Sequence, residues 1–148
     1  MIRNLNEYAN LPLRLVLGFG FIYHGYPKLF GGHAMFTGML QNLGIPAAGP
    51  AAWGVGLVEF FGGIALIAGA FVSIVSLLAI ADMAVAIFTF HLPNGFNFMS
   101  SPPGYEVPLL YLAGFLALLL GGAGALSLDG WLAERRRAVV SEAAAQAA

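Results

Sequence analysis

The sequence predicts an all-α integral membrane protein, a four-helix bundle with a short interfacial helix between its first two spans. Three observations carry that expectation. Of 148 residues, 59% are hydrophobic and 9% charged, too few charges to cover a soluble domain of this size. The apolar stretches have the length of membrane spans and are separated by Gly-, Pro- and Asn-rich breaks. At roughly 20 helical residues per crossing, four crossings consume most of the chain, which leaves short connections and one domain over residues 1–148.

The first span is expected over residues 11–30, with Pro12 in the first turn, where a missing N–H costs nothing. Gly31 and Gly32 end it. The run contains Arg14, His24 and Lys28 and no small-residue cleavage pattern follows, so it reads as a retained helix rather than a signal peptide. Over residues 34–43, Met35, Phe36, Met39, Leu40 and Leu43 recur at helical spacing in a segment too short to cross, which fits a helix lying at the interface. The next apolar stretch is about twice the length of a span, so it must fold back near its middle, at residues 69–73. This places span two at 51–70 and span three at 72–90. A loop rich in Gly, Pro and Asn leads to span four at 106–126, where Glu106 suits a helix N-terminus. A basic, Ala-rich tail over 132–148 is read as frayed helix or disorder. The glycines Gly121, Gly122 and Gly124 have no preceding strand and point to close helix packing, not to a nucleotide loop.

An even number of crossings places both termini on one side. Arg3 and the cluster Arg135, Arg136 and Arg137 mark that side as cytoplasmic. Trp53, Tyr105 and Trp131 stand near span ends, where aromatic anchors sit. The net charge of -1 offers no cationic face for nucleic acid, which is excluded as a partner. No cysteine is present, so disulfides, thiolate metal sites and cysteine-ligated clusters are excluded within the chain. Electron transfer would need a bound cofactor or a redox partner protein.

Charges in hydrocarbon cost on the order of 2.5 to 3.5 kcal/mol each on insertion scales, so the ionisable residues of the spans are the candidate site. They are Arg14, His24, Lys28, Glu59 and Asp82, with His91 at the end of span three. Arg14, Gly18, Phe21, Gly25 and Lys28 fall in one sector of span one, with His24 at its edge. Gly56, Glu59, Gly63, Leu66 and Ala70 share a face of span two that allows close helix approach. His24 lies about 9 Å below the outward end of span one and Glu59 about 12 Å below that of span two. A polar cluster in the outer half follows, with Arg14 near the opposite end. His91 lies half a turn around from Asp82, so a straight helix cannot aim both at one seam. Pro27 frees the Tyr23 carbonyl beside His24. His33, in the outward loop, reads as a solvated residue.

The pattern Arg14-x3-Gly18-x5-His24-Gly25-x2-Lys28, then Gly44-x-Pro46, Gly56-x2-Glu59-x2-Gly62-Gly63, and His91 followed by Gly95-Phe96, resembles the DoxX family of small bacterial membrane proteins. The resemblance implies a four-helix protein of the bacterial inner membrane, named through a subunit of thiosulfate:quinone oxidoreductase and associated with membrane oxidoreductase complexes. The turn Phe71-Val72-Ser73 departs from the Thr-Arg often seen there, so no positive charge supports its cytoplasmic placement.

The leading expectation is a membrane subunit of a redox system. His24 and Glu59 would relay protons as the catalytic pair, and Arg14, Lys28, Asp82 and His91 would hold a polar head group such as a quinone carbonyl. The alternative for the same residues is a structural ion pair, Glu59 with Lys28 or Arg14, or Asp82 with Arg14, fixing helix register. A metal or haem on His24, His91 and Glu59 is disfavoured because no ligand motif supports it. Two other function classes compete: a membrane scaffold that docks soluble enzymes, and a small-solute or metal transporter. Four helices enclose a narrow lumen, so the transporter would require a homo-oligomer.

Overall fold

A computed structural model describes residues 5–146, so the topological marker Arg3 lies outside the described residues. The protein is all-α. Among the described residues a 3-10 turn, Leu5–Tyr8, precedes six α-helices: α1 (Asn10–Leu29), α2 (His33–Asn42), α3 (Ala48–Ala68), α4 (Val72–Ala86), α5 (Glu106–Gly121) and α6 (Leu128–Gln146). A π-helical turn, Ile87–His91, and a 3-10 turn, Leu92–Asn94, prolong α4. By length and composition, two helical runs among the described residues are able to cross a membrane: α3 with 21 residues and the run Val72–Asn94 with 23.

The expected first and second spans coincide with α1 and α3 to within a few residues, and the expected interfacial helix is α2. The helix expected as span four is shorter than its hydropathy suggests. Helix α5 stops after 16 residues, at Gly121, because Gly122 takes a left-handed φ of 74° that a side chain would resist. At 1.5 Å per residue it is about 24 Å long. The glycines expected to pack inside that span instead end it, although Gly121 still packs against Asn10. The tail is helical as far as Gln146, in α6, which buries none of its residues and stacks the Arg135 guanidinium 3.9 Å over the Trp131 ring.

Helices α1, α3, α4 and α5 pack as a ring of antiparallel neighbours, with α1 against α3 the most extensive contact. Small residues account for that closeness. A Cβ at Gly63 would stand 2.6 Å from the Gly18 carbonyl oxygen, and one at Gly25 would stand 2.5 Å from the Phe60 nitrogen. Only glycine lets the two backbones come this near. Phe21, Leu66, Val72, Ala79, Phe115 and Leu118 fill the centre of the ring. The Phe21 ring meets Phe115 edge-on at 4.6 Å and stacks on Tyr111 at 5.8 Å.

The turn between α3 and α4 is closed from a distance. Gly69 ends α3 with φ 69°, and Phe71 precedes α4 in the same left-handed region. With Phe71 unable to cap α4 through its side chain, Asp129 of α6 accepts from the Phe71 and Val72 N–H groups, both at 2.9 Å. A carboxylate satisfies free donors at a helix N-terminus and complements its dipole.

Candidate functional site

The site is built at the end of the ring that carries α2. Gly25 allows α1 to lie against α3, and Gly56 gives room to Leu29 and to the Lys28 Cβ, 3.4 Å from where its own Cβ would be. Across that close crossing, Lys28 Nζ donates to Glu59 Oε2 at 2.5 Å. Glu59 is 3% exposed. Of the partners weighed for Glu59, the structure selects Lys28. Helix α2 covers the pair: the Phe36 ring centroid is 4.7 Å from Lys28 Nζ. His33 is not a free loop residue but the first residue of α2, with Nδ1 3.0 Å from the Lys28 carbonyl and its ring 4.2 Å from Trp53. The Lys28 carbonyl, in the last turn of α1, can only accept, so the His33 N–H donates to it.

Asp82 of α4 joins this pair, with its carboxyl neighbouring both Glu59 and Lys28. Its Oδ2 is shielded from solvent, and the Asp82 and Glu59 carboxyl groups lie within hydrogen-bond reach of each other. His91 reaches the same cavity, which a straight helix would not allow. The π turn over Ile87–His91 takes up about one extra residue, slipping the phase by on the order of 100° and bringing His91 toward the Asp82 side. His91 Nδ1 lies 2.9 Å from the Pro103 carbonyl and donates to it, which ties the end of α4 to the loop before α5.

These side chains line a cavity of about 530 Å³, within the range of about 300–1,000 Å³ usual for small-molecule sites. His24, Lys28, Glu59, Asp82, Thr89, His91 and Tyr111 supply its polar side chains. The rest is apolar: Phe36, Met39, Leu40 and Leu43 from α2, and Phe98 and Pro103 from the loop. His24 is exposed and sits at the rim. Its ring is edge-on to Tyr111 at 6.4 Å, and it also lines a groove on the outer surface of α1 beside Phe19, Tyr23 and Tyr26. Among the described residues, no three His, Asp or Glu side chains converge as metal ligands do.

Arg14 is the member of the expected ligand-binding set that lies elsewhere. It is 0% exposed at the opposite end, where Nη1 donates to the Ala123 carbonyl at 2.5 Å and Nη2 to that of Leu126 at 2.8 Å. It pairs with neither Glu59 nor Asp82. The irregular segment after α5 exposes backbone carbonyls that no helix satisfies, and the guanidinium fork matches two of them. Glu106 stands in the first turn of α5, as expected, and its Oε2 in addition accepts from the Phe98 N–H at 3.2 Å and braces the loop over the cavity.

Tyr111 and the covering role of α2 escaped the sequence reading. Tyr111 is a polar-tipped side chain in a helix that is otherwise apolar after Glu106, one turn in from Val107, and that position was the available signal.

Comparison with known proteins gives consistent results. Residues 9–92, more than half of the chain, match the DoxX family. The chain is 35% identical over 118 residues to an uncharacterized protein of Haemophilus influenzae, covering 79% of this chain and 85% of the relative. No solved structure matches it. The matched segment runs from the start of α1 through the π turn that delivers His91, and so contains Lys28, Glu59 and Asp82: the chain belongs to the DoxX family.

Proposed function

We propose that this DoxX-family chain is a four-span protein of the bacterial inner membrane, with both termini cytoplasmic. Its cavity binds the polar head of a small membrane-soluble ligand in a quinone-linked redox system. Support for the membrane placement comes from the outer surface of the ring. Val16, Phe19, Phe61, Ile74, Leu77, Phe88, Leu110 and Leu120 all stand exposed on it, far more apolar surface than water tolerates. The redox assignment draws on the family resemblance, and redox partner proteins would supply the electrons.

The observation that carries the ligand reading is an ionic group, buried Glu59 with half-buried Lys28 and Asp82, in the wall of a mostly apolar cavity. Ionisable residues held inside a span are functional candidates by default. In this reading Lys28 positions the head group, Glu59 accepts a proton, and His24 at the rim exchanges it with the surroundings. Arg14 serves the fold.

The test is binding of naphthoquinone to purified, folded protein and to its Glu59→Gln and His24→Ala variants. A loss of about tenfold or more in either variant is expected. Unchanged affinity in both would remove this mechanism.

A further inference from the structure

Glu59 of α3 and Asp82 of α4 bring two carboxyl groups within hydrogen-bond reach of each other, beside a single ammonium. Two carboxylates that close do not both stay ionised unless cations compensate each of them. Lys28 Nζ is in ion-pair contact with Glu59 and, among the described residues, with no other carboxylate. Its two remaining N–H groups stay available in the cavity, under the Phe36 ring. Asp82 Oδ2 is shielded from solvent, and no N–H or O–H of the described residues bonds to it. From α5, the Tyr111 hydroxyl is turned against Gly20 of α1. At the end of α4, His91 Nδ1 is engaged by the Pro103 carbonyl, and His24 of α1 stands exposed at the rim. Helix α2 lines the space with Phe36, Met39, Leu40 and Leu43, none of which titrates. An ionised carboxylate only accepts, so a hydrogen bond between the two carboxyls requires a proton on one of them.

We propose that Glu59 and Asp82 hold one proton between their carboxyl groups, and that Asp82 carries it to the ligand of the cavity. The inference rests on the reading of the cavity as a ligand site and adds a proton-carrying residue to it. The two acids are placed for different parts. Glu59 is buried and held as the anion by Lys28, whereas Asp82 is half-buried and lines the cavity. A ligand oxyanion that takes the proton becomes a hydroxyl: the Asp82 O–H bond breaks, an O–H bond forms on the ligand, and the negative charge passes to Asp82. Lys28 neighbours that new carboxylate and still has N–H groups to turn toward it. The pair then regains its proton as a unit, not as two separate acids.

Infrared spectra of the full chain in lipid nanodiscs at neutral pH test the shared proton. The chain has seven acidic residues, and one protonated-carboxyl band that moves in heavy water is expected, from this pair. The band is expected to vanish in Asp82→Asn and in Glu59→Gln, because each variant leaves one carboxyl beside one ammonium, which holds it ionised. A wild-type spectrum without the band overturns the inference, since both acids are then ionised and both lean on Lys28. A band that survives Asp82→Asn belongs to another acid, and one that survives Glu59→Gln belongs to Asp82 alone; either result overturns the pair.

Should a variant not fold, the wild-type chain with isotopically labelled aspartate replaces it. Asp82 and Asp129 are the chain's two aspartates, and Asp129 accepts from the Phe71 and Val72 N–H groups at the opposite end of the ring. The protonated band is expected to move with the label, and a band indifferent to it overturns Asp82 as the carrier. Naphthoquinone, whose carbonyl oxygens accept, tests the link to the ligand. The band is expected to shift when this probe binds; a band unmoved by bound naphthoquinone overturns the carrying role. If naphthoquinone does not bind while the band is present, the ligand-site reading fails and the carrying role with it, but the shared proton stands.

Discussion

Lys28 and Glu59, 31 residues apart in the chain, meet at 2.5 Å because Gly25 and Gly56 remove the side chains that would hold α1 and α3 apart. The pair is more than an ornament of the cavity. Glu59 is almost wholly buried, so its carboxylate depends on Lys28 for compensation. Removing one partner of such a pair strands the other charge, at a cost of about 3–5 kcal/mol, whereas replacing both by neutral groups is far milder. Lys28→Met is therefore expected to lower thermal stability sharply in detergent. Adding Glu59→Gln should restore much of it, and a double-mutant cycle reads the coupling. Equal, additive losses would show that the two residues act separately.

The α1–α3 glycines make a second prediction. Gly25→Ala and Gly63→Ala place a Cβ against partner backbone that cannot step aside, and should cost about 1–3 kcal/mol each with loss of the cavity's ligand affinity. Gly38, in α2, has open space around it, so Gly38→Ala should stabilise by up to about 1 kcal/mol through helix propensity. Thermal unfolding of the three variants side by side makes the comparison.

Arg14 supports a third. Arg14→Lys retains the charge but loses the fork that spans the Ala123 and Leu126 carbonyls. Hydrogen exchange at residues 123–128 should accelerate by about tenfold, while binding in the distant cavity stays as in the wild type. A change confined to the cavity would refute the separation of the two ends.

Asp129 provides the fourth. Asp129→Ala removes the acceptor for the Phe71 and Val72 N–H groups and should cost about 1–2 kcal/mol, the usual range for a lost cap. Helix α6 buries no residue and is held at its start by this contact, so limited proteolysis should cut near residue 128 faster in the variant. Unchanged cleavage would mean that other contacts retain α6.

Much of this architecture was legible beforehand. Apolar runs and Gly/Pro breaks located α1 to α4 within a few residues, since hydropathy and helix-breaking chemistry are local properties. Helical phase placed Lys28 on the small, polar face of α1 and Glu59 on the glycine face of α3, because a fixed turn of about 100° per residue converts spacing into direction. Depth counting matched His24 to the level of Glu59 and left Lys28 nearer the outward end, whereas it is the long Lys28 side chain that reaches the carboxylate. The same arithmetic failed at His91, where a π turn breaks the constant phase and nothing in the residue pattern announces it.

What the sequence determined by itself was the order of helices, the faces on which glycine and charge fall, and the DoxX resemblance. Only the tertiary structure decided which donor meets which acceptor. Arg14 binds carbonyls 109 and 112 residues away, Glu106 braces the Phe98 N–H, and Asp129 closes the turn before α4. Backbone groups are the same at every residue, so a side chain that seeks them leaves no pattern in the sequence. Its partner is set by which turns the packing of the helices brings within reach.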